Sequence, residues 1–181
     1  MIDLHSVKNN ETFCHRLVLI RGKVECPLVQ PSYPNDLDPY NGRFITVRKS
    51  DGSSKNWPIN SYHEFKALIS LAKGNNRITF YYNYKPKSKL IERASTEIDL
   101  FYFENVNMEP VRLSIFIAKD SRGVFDMDRE SLSKGEKNDY DSAIKRLRMA
   151  ALLWQAFTSD SLSSYDLGRK SFRLLLDPSG G

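Results

Sequence analysis

Histidine and cysteine are scarce in this chain, and the loops that cradle phosphates or present nucleophiles are missing. Its 181 residues hold three histidines (His5, His15, His63) and two cysteines (Cys14, Cys26). His63-Glu64 begins like the zinc motif His-Glu-x-x-His, which sets two imidazoles four apart on one helical face with the glutamate beside them as base. Position 67 is alanine, so the pair reads as a surface feature. Cys14, His15 and Cys26 supply ligand-type side chains, but their spacing fits no common structural zinc module and no fourth ligand is near. There is no Gly-x-x-x-x-Gly-Lys-Ser/Thr loop, no Gly-x-Gly-x-x-Gly and no Gly-x-Ser-x-Gly elbow. Composition and spacing therefore name no reaction, and they assign no catalytic, cofactor-binding or metal-binding residue.

Other absences narrow the setting. Two cysteines in a reducing compartment read as buried thiols rather than a disulfide. No apolar run approaches the ~20 residues that span a bilayer, and the opening Met-Ile-Asp-Leu-His-Ser-Val-Lys lacks the hydrophobic stretch of a signal peptide. The expectation is a cytoplasmic chain with no membrane partner. The net charge of +5, from 27 basic and 22 acidic residues, is modest and dispersed. A nucleic-acid site would concentrate it in a stripe with exposed aromatics. The nearest candidate, Tyr84 to Arg93, reads as a solvated loop whose lysines discourage edge pairing, so no nucleic-acid partner is expected.

What is present is a succession of short β-like runs. Phe13 to Glu25 is apolar on both faces around Leu17, Val18, Leu19 and Ile20, as a buried strand would be. Residues 27–42 hold four prolines and read as a long loop. Arg43 to Arg48 alternates through Ile45 and Val47, and Asp51-Gly-Ser-Ser makes a turn. Pro58, between Trp57 and Ile59, confines its stretch to an edge or a strand start.

Residues 63–72 fit both periodicities. The Gly74-Asn75-Asn76 turn, which could close a hairpin onto Ile78 to Tyr84, favours a strand. Ile98 to Phe103 and Val111 to Ile117 complete six or seven strands. Their spacing predicts a mainly β chain: an immunoglobulin-like β-sandwich over residues 1–125.

Residues 126–138 are charged and polar and read as a linker. From Asp139 to Phe157 an amphipathic helix is written, with Ile144, Leu147, Ala151 and Trp154 at helical spacing and Ala150, Leu153 and Phe157 widening the stripe. Asn138 or Asp139 can cap it, and Trp154 is expected to be buried. Gln155 has no evident role. A turn, a short apolar run (Phe172, Leu174, Leu175, Leu176) and Asp-Pro-Ser-Gly-Gly follow, so residues 139–181 look like the opening of a second domain.

Three further features have ordinary readings. Asp120-Ser121 is more naturally a turn than a nucleophile beside an acid. The aromatics Tyr81, Tyr82, Tyr84, Phe101, Tyr102 and Phe103 are more naturally core and cross-strand packing than a binding face. The terminal Gly-Gly resembles a ubiquitin-like tail, without upstream support for conjugation.

Several segments together carry a resemblance. They are Val7 to Val24, Asn56-Trp-Pro-Ile-Asn60, Phe65 to Ile78, the helix Asp141-Ser-Ala-Ile-Lys-Arg-Leu-Arg-Met-Ala-Ala-Leu-Leu-Trp-Gln-Ala-Phe-Thr158, and Gly168-Arg-Lys-Ser-Phe-Arg173. They resemble the N-terminal part of the fungal "putative zinc metallopeptidase" family. The resemblance implies that residues 1 to about 125 are that family's leading β-rich domain and that the helix from Asp139 begins its peptidase domain. It also implies that the zinc motif lies C-terminal to Phe172, outside this chain. Zinc, which in such enzymes polarises the scissile carbonyl and activates water, is then a cofactor of the full-length protein and not of these residues. The implied partner is the missing C-terminal peptidase domain, and this chain by itself is not expected to be active. A different reading is a stand-alone β-sandwich module that binds protein or carbohydrate through loops such as 27–42.

Overall fold

A computed structural model describes residues 1–25, 43–84, 91–105, 107–114, 119, 124–125 and 129–175. The chain divides into two compact units, Met1–Glu104 and Asn105–Gly181. The protein is mainly β, and among the described residues no helix is long and apolar enough to cross a membrane.

The first unit is built from β1 (Ile2–Leu4), β2 (Glu11–Phe13), β3 (Leu17–Val24), β4 (Arg43–Lys49), β5 (Ser54–Pro58), β6 (Glu64–Ser70), β7 (Gly74–Tyr84) and β8 (Ile91–Tyr102). They form a three-stranded sheet in the order β1-β3-β6 and a five-stranded sheet in the order β2-β8-β7-β4-β5. All pairings are antiparallel except β2 with β8, which is parallel. Period-two alternation explains the burial. Val18, Ile20 and Val24 from β3, Phe65, Ala67 and Ile69 from β6, and Ile45, Val47, Ile78, Phe80, Ile98 and Leu100 from the larger sheet point into one core.

That alternation also decides residues 63–72. Glu64 and Lys66 are exposed while Phe65, Ala67 and Ile69 are buried, so the segment is a strand. Its partner differs from the expected hairpin. β6 pairs with β3, from Leu17↔Ser70 to Lys23↔Glu64, and the chain then passes to the other sheet, where Gly74–Asn76 open β7. The buried Asn76 fixes this corner: its side chain accepts from Ala72 N at 2.7 Å and donates to Ala72 O at 2.8 Å and Gly74 O at 3.0 Å. A side chain satisfying its neighbours' backbone replaces the hairpin ladder.

Two turns follow the sequence closely. Asp51 accepts from Ser53 N at 2.8 Å and from Ser53 Oγ at 2.5 Å, closing β4 onto β5. Pro58 ends β5, an edge strand of the five-stranded sheet, where its missing N–H costs no ladder bond. Gly22 meets a tighter requirement. A Cβ there would lie 2.6 Å from Asp3 O and 2.6 Å from Phe65 Cζ, so only glycine lets β1 and the Phe65 ring approach β3 this closely.

The second unit contains β9 (Pro110–Arg112), α1 (Arg129–Ser133), α2 (Tyr140–Ser164) and β10 (Arg173–Leu175). The strand expected over Val111 to Ile117 as part of the sandwich is different here. Its described portion, Pro110–Arg112, pairs in parallel with β10 inside the second unit, and residues 115–118 lie outside the described residues. Alternation specified a strand but not which strand it would join. The expected linker holds the short α1, closed at its end by Lys134 N donating to Glu130 O at 3.1 Å. Asp139 caps α2, its Oδ1 accepting from Ser142 N at 2.9 Å. The helix closes through Leu167 N donating to Leu162 O at 3.0 Å, with Asp166 and Gly168 at positive φ.

Candidate functional site: the long helix and its return strand

One side of α2 is occupied by its own unit. Ala151, Gln155, Ala156 and Ser159 are buried, and Ile144, Leu147, Arg148 and Leu162 are half-buried on the same side or next to it. Gln155 holds the arrangement together. Its Nε2 donates to Phe172 O at 2.7 Å, and its backbone O accepts from Ser171 Oγ at 2.9 Å. The segment leading into β10 is thereby fastened across the helix from both ends of one residue. Arg169 reinforces it, Nη1 donating to Asp160 Oδ1 at 2.6 Å with both side chains largely shielded. Ser159 Oγ and Arg173 Nε are buried with no hydrogen-bond partner among the described residues.

The opposite side of α2 is also apolar, and it faces outward. Met149 is 48% exposed, Leu153 42%, Trp154 57% and Phe157 70%. Trp154 is therefore not the buried anchor its spacing predicted. It lies at the margin of the two faces, edge-on to Phe172 with ring centroids 5.0 Å apart. From Met149 to Phe157 every residue except Gln155 is apolar, so periodicity drew one broad stripe where the structure has two faces. Gln155 was the signal that went unread. A lone amide in such a run must find partners when buried.

Among the described residues, the three histidines and Cys14 do not gather into one site. His5 Nε2 lies 3.0 Å from Asp3 Oδ2 on the surface, and the buried His15 places Nδ1 2.7 Å from Leu17 O. His63 sits at φ 63 in the turn entering β6, its N donating to Asn60 O at 3.0 Å, so His63-Glu64 is on no helix. Cys14 is half-buried, while Cys26 lies outside the described residues, as do Asp120-Ser121 and most of the 84–93 loop. The aromatic group is split by the pleat: Tyr82 is in the core, and Tyr102 packs against it. Tyr81 faces outward under Arg48, whose Cζ is 5.0 Å from the ring centre. Phe101 and Phe103 stack at 6.3 Å. Burial, and then the nearby Glu104 carboxylate, pushes the Tyr102 phenol above its ordinary value, so it is no ready proton donor. The described rings of this group do not share one face, because neighbours along a strand point to opposite sides.

Sequence comparisons agree along nearly the whole chain. Residues 1–179 match the sequence model of the family described as Putative peptidase family (Metallopep). A putative zinc metalloproteinase of Schizosaccharomyces pombe is 30% identical over 175 residues, which is 96% of this chain and 25% of that protein. One of Saccharomyces cerevisiae is 27% identical over 172 residues, 94% of this chain and 22% of that protein. The chain thus spans about a quarter of the length of these relatives. The zinc in their names does not fit the donors present here: among the described residues no three His, Cys, Asp or Glu side chains gather as a metal site would need.

Proposed function

The chain belongs to the Putative peptidase family, and from that premise we propose that its 181 residues are a non-catalytic N-terminal part of a zinc metallopeptidase, a structural support for catalytic residues carried elsewhere in the polypeptide. The distribution of donors is the observation that carries this reading. All three histidines and both cysteines fall in residues 1–63, so the helical unit from Asn105 onward holds neither residue type. Catalytic zinc sites are built from sets such as three histidines, two histidines with a glutamate, or two cysteines with a histidine, and leave one position open for water or substrate. The unit that would begin the peptidase domain can supply carboxylates alone.

The first unit suits a supporting role of immunoglobulin-like form. β1, β3 and β6 occupy one sheet and β2, β8, β7, β4 and β5 the other, and this division of the strands between two sheets supports the comparison with sandwiches of that class. No disulfide is needed to join the sheets, since Val18, Ile20, Phe65, Ile78 and Phe80 already close them on one core.

Metal analysis and a peptidase assay test the reading. The purified 181 residues are expected to bind no stoichiometric zinc and to cleave no peptide, and the same polypeptide extended to the length of its relatives is expected to bind zinc. Stoichiometric zinc with proteolysis by residues 1–181 would overturn it.

A further inference from the structure

We propose that the outward face of α2, formed by Met149, Leu153, Trp154 and Phe157, is the docking surface for the peptidase portion of the same polypeptide. The inference rests on the preceding reading that such a portion exists. A helix that faces water normally keeps one polar side, whereas a helix apolar all round is one enclosed by a larger core. Over Met149 to Phe157 the single polar residue is Gln155, and it is already committed to Ser171 and Phe172 on the inner side. Polarity is confined to the helix ends, with Lys145, Arg146 and Arg148 before this stretch and Ser159, Asp160 and Ser161 after it. The two central turns are thus left with large apolar side chains in water, the pattern that marks an interaction surface.

The length of the relatives identifies the occupant. This chain accounts for 25% and 22% of the two proteins it aligns with, leaving about three-quarters of each as covalently attached polypeptide. A tethered partner is present at an effective concentration that a free one does not reach, so a face of four side chains can be held closed by it. Docking would give the helix two packed sides, the return strand on one and the peptidase portion on the other.

Two measurements test this, one of which needs no substitution. In the 181-residue chain with Trp57→Phe, the remaining tryptophan, Trp154, is expected to be open to acrylamide quenching. In the polypeptide extended to the relatives' length it is expected to be shielded, and Leu153→Asp with Phe157→Asp should reopen it. Hydrogen exchange at the amides of residues 149–157 in the unsubstituted proteins should slow on the order of tenfold or more upon extension. Equal exposure and equal exchange in the two lengths would overturn the proposal. So would a Trp154 already shielded in the short chain, whether by a second copy (the mass then being that of a dimer) or within a monomer. Zinc content reads the function separately: an extended protein that binds zinc while Trp154 stays open defeats the docking and leaves the peptidase reading standing.

Discussion

Met1–Glu104 and Asn105–Gly181 solve the same physical problem to different extents. The first unit buries many of its large apolar side chains. Phe13, Ile20, Ile45, Ile78, Phe80 and Leu100 are fully buried, and the exposed face of its larger sheet carries pairs such as Arg77 with Asp99. Among the described residues of the second unit, the buried ones are small or polar, Ala151, Gln155, Ala156 and Ser159, while Met149, Leu153, Trp154 and Phe157 are exposed. Burial of apolar area is the dominant favourable term in folding, so the described β unit is held by its apolar core, whereas around α2 the described contacts include a larger share of polar fastening. A β unit with a buried apolar core and a helix with an exposed apolar face fit the roles proposed for each.

Paired truncations offer the largest test of that contrast. Phe80→Ala removes a fully buried ring that lies 6.0 Å from Phe65, and should destabilise the β unit by about 3–5 kcal/mol. Phe157→Ala should change the stability of the 181-residue chain by no more than about 0.5 kcal/mol, as surface substitutions do. Urea unfolding followed through Trp57 and far-UV dichroism measures both. If Phe157→Ala costs as much as Phe80→Ala, the outward face is not outward and the contrast between the units fails.

The next test addresses the polar fastening. Gln155→Leu keeps similar bulk but deprives Phe172 O of its donor, which should cost the helical unit roughly 1–3 kcal/mol. Amides from Ser171 to Leu175 should then exchange faster, with those of β3 and β7 unaffected. Gln155→Glu should be worse at neutral pH, because a carboxylate cannot donate to a carbonyl, and should recover partly on acidification as the acid regains a proton to give. Unchanged exchange at the return strand in both variants would show that apolar contacts such as Trp154 with Phe172 hold it instead.

The sequence conveyed the two units unequally, for the same reason. In β4 the apolar residues alternate with polar or half-buried ones, so one face is buried and the strand is legible, whereas β3 is legible from apolar residues on both faces and β6 fits both periodicities in the sequence. Partner choice was less legible. β6 went to β3 instead of forming a hairpin with β7, because the side chain of Asn76, a contact between neighbours in the corner, turns the chain. Val111 joined β10, about sixty residues away, and alternation says nothing about such a distance. In α2 the period was plain and the cap at Asp139 was among the residues expected, but the buried side was not. A run that is apolar on every side contains no instruction about which side turns inward. Gln155 held that information, and only its need for partners could have revealed it.

The smallest effects concern two aspartates, one in each unit, that do similar work in different surroundings. The Ser142 hydroxyl and then its amide hold the Asp139 carboxyl below its ordinary value. The Ser53 hydroxyl, the Ser53 amide and the Lys49 ammonium bring Asp51 down to about 2. A pKa lowered by folding means that the charged form is the one the fold favours. The stabilisation is therefore complete above the ordinary carboxylate pKa of about 4 and is lost as pH falls through the folded value. On acidification the Ser53 amide should titrate with a midpoint near 2, and the Ser142 amide should move below pH ~4 as the helix start loosens. The consequences should differ. β4 is bonded on both sides, to β5 and β7, so opening its turn should remain local. The first turn of α2 depends on its cap, so the helical far-UV signal should fall. Asp139→Asn, which caps without ionising, should keep that signal level through the same pH range. A Ser53 midpoint near 4, or an Asp139→Asn helix as acid-sensitive as the parent, would show that these hydrogen bonds do not control either element.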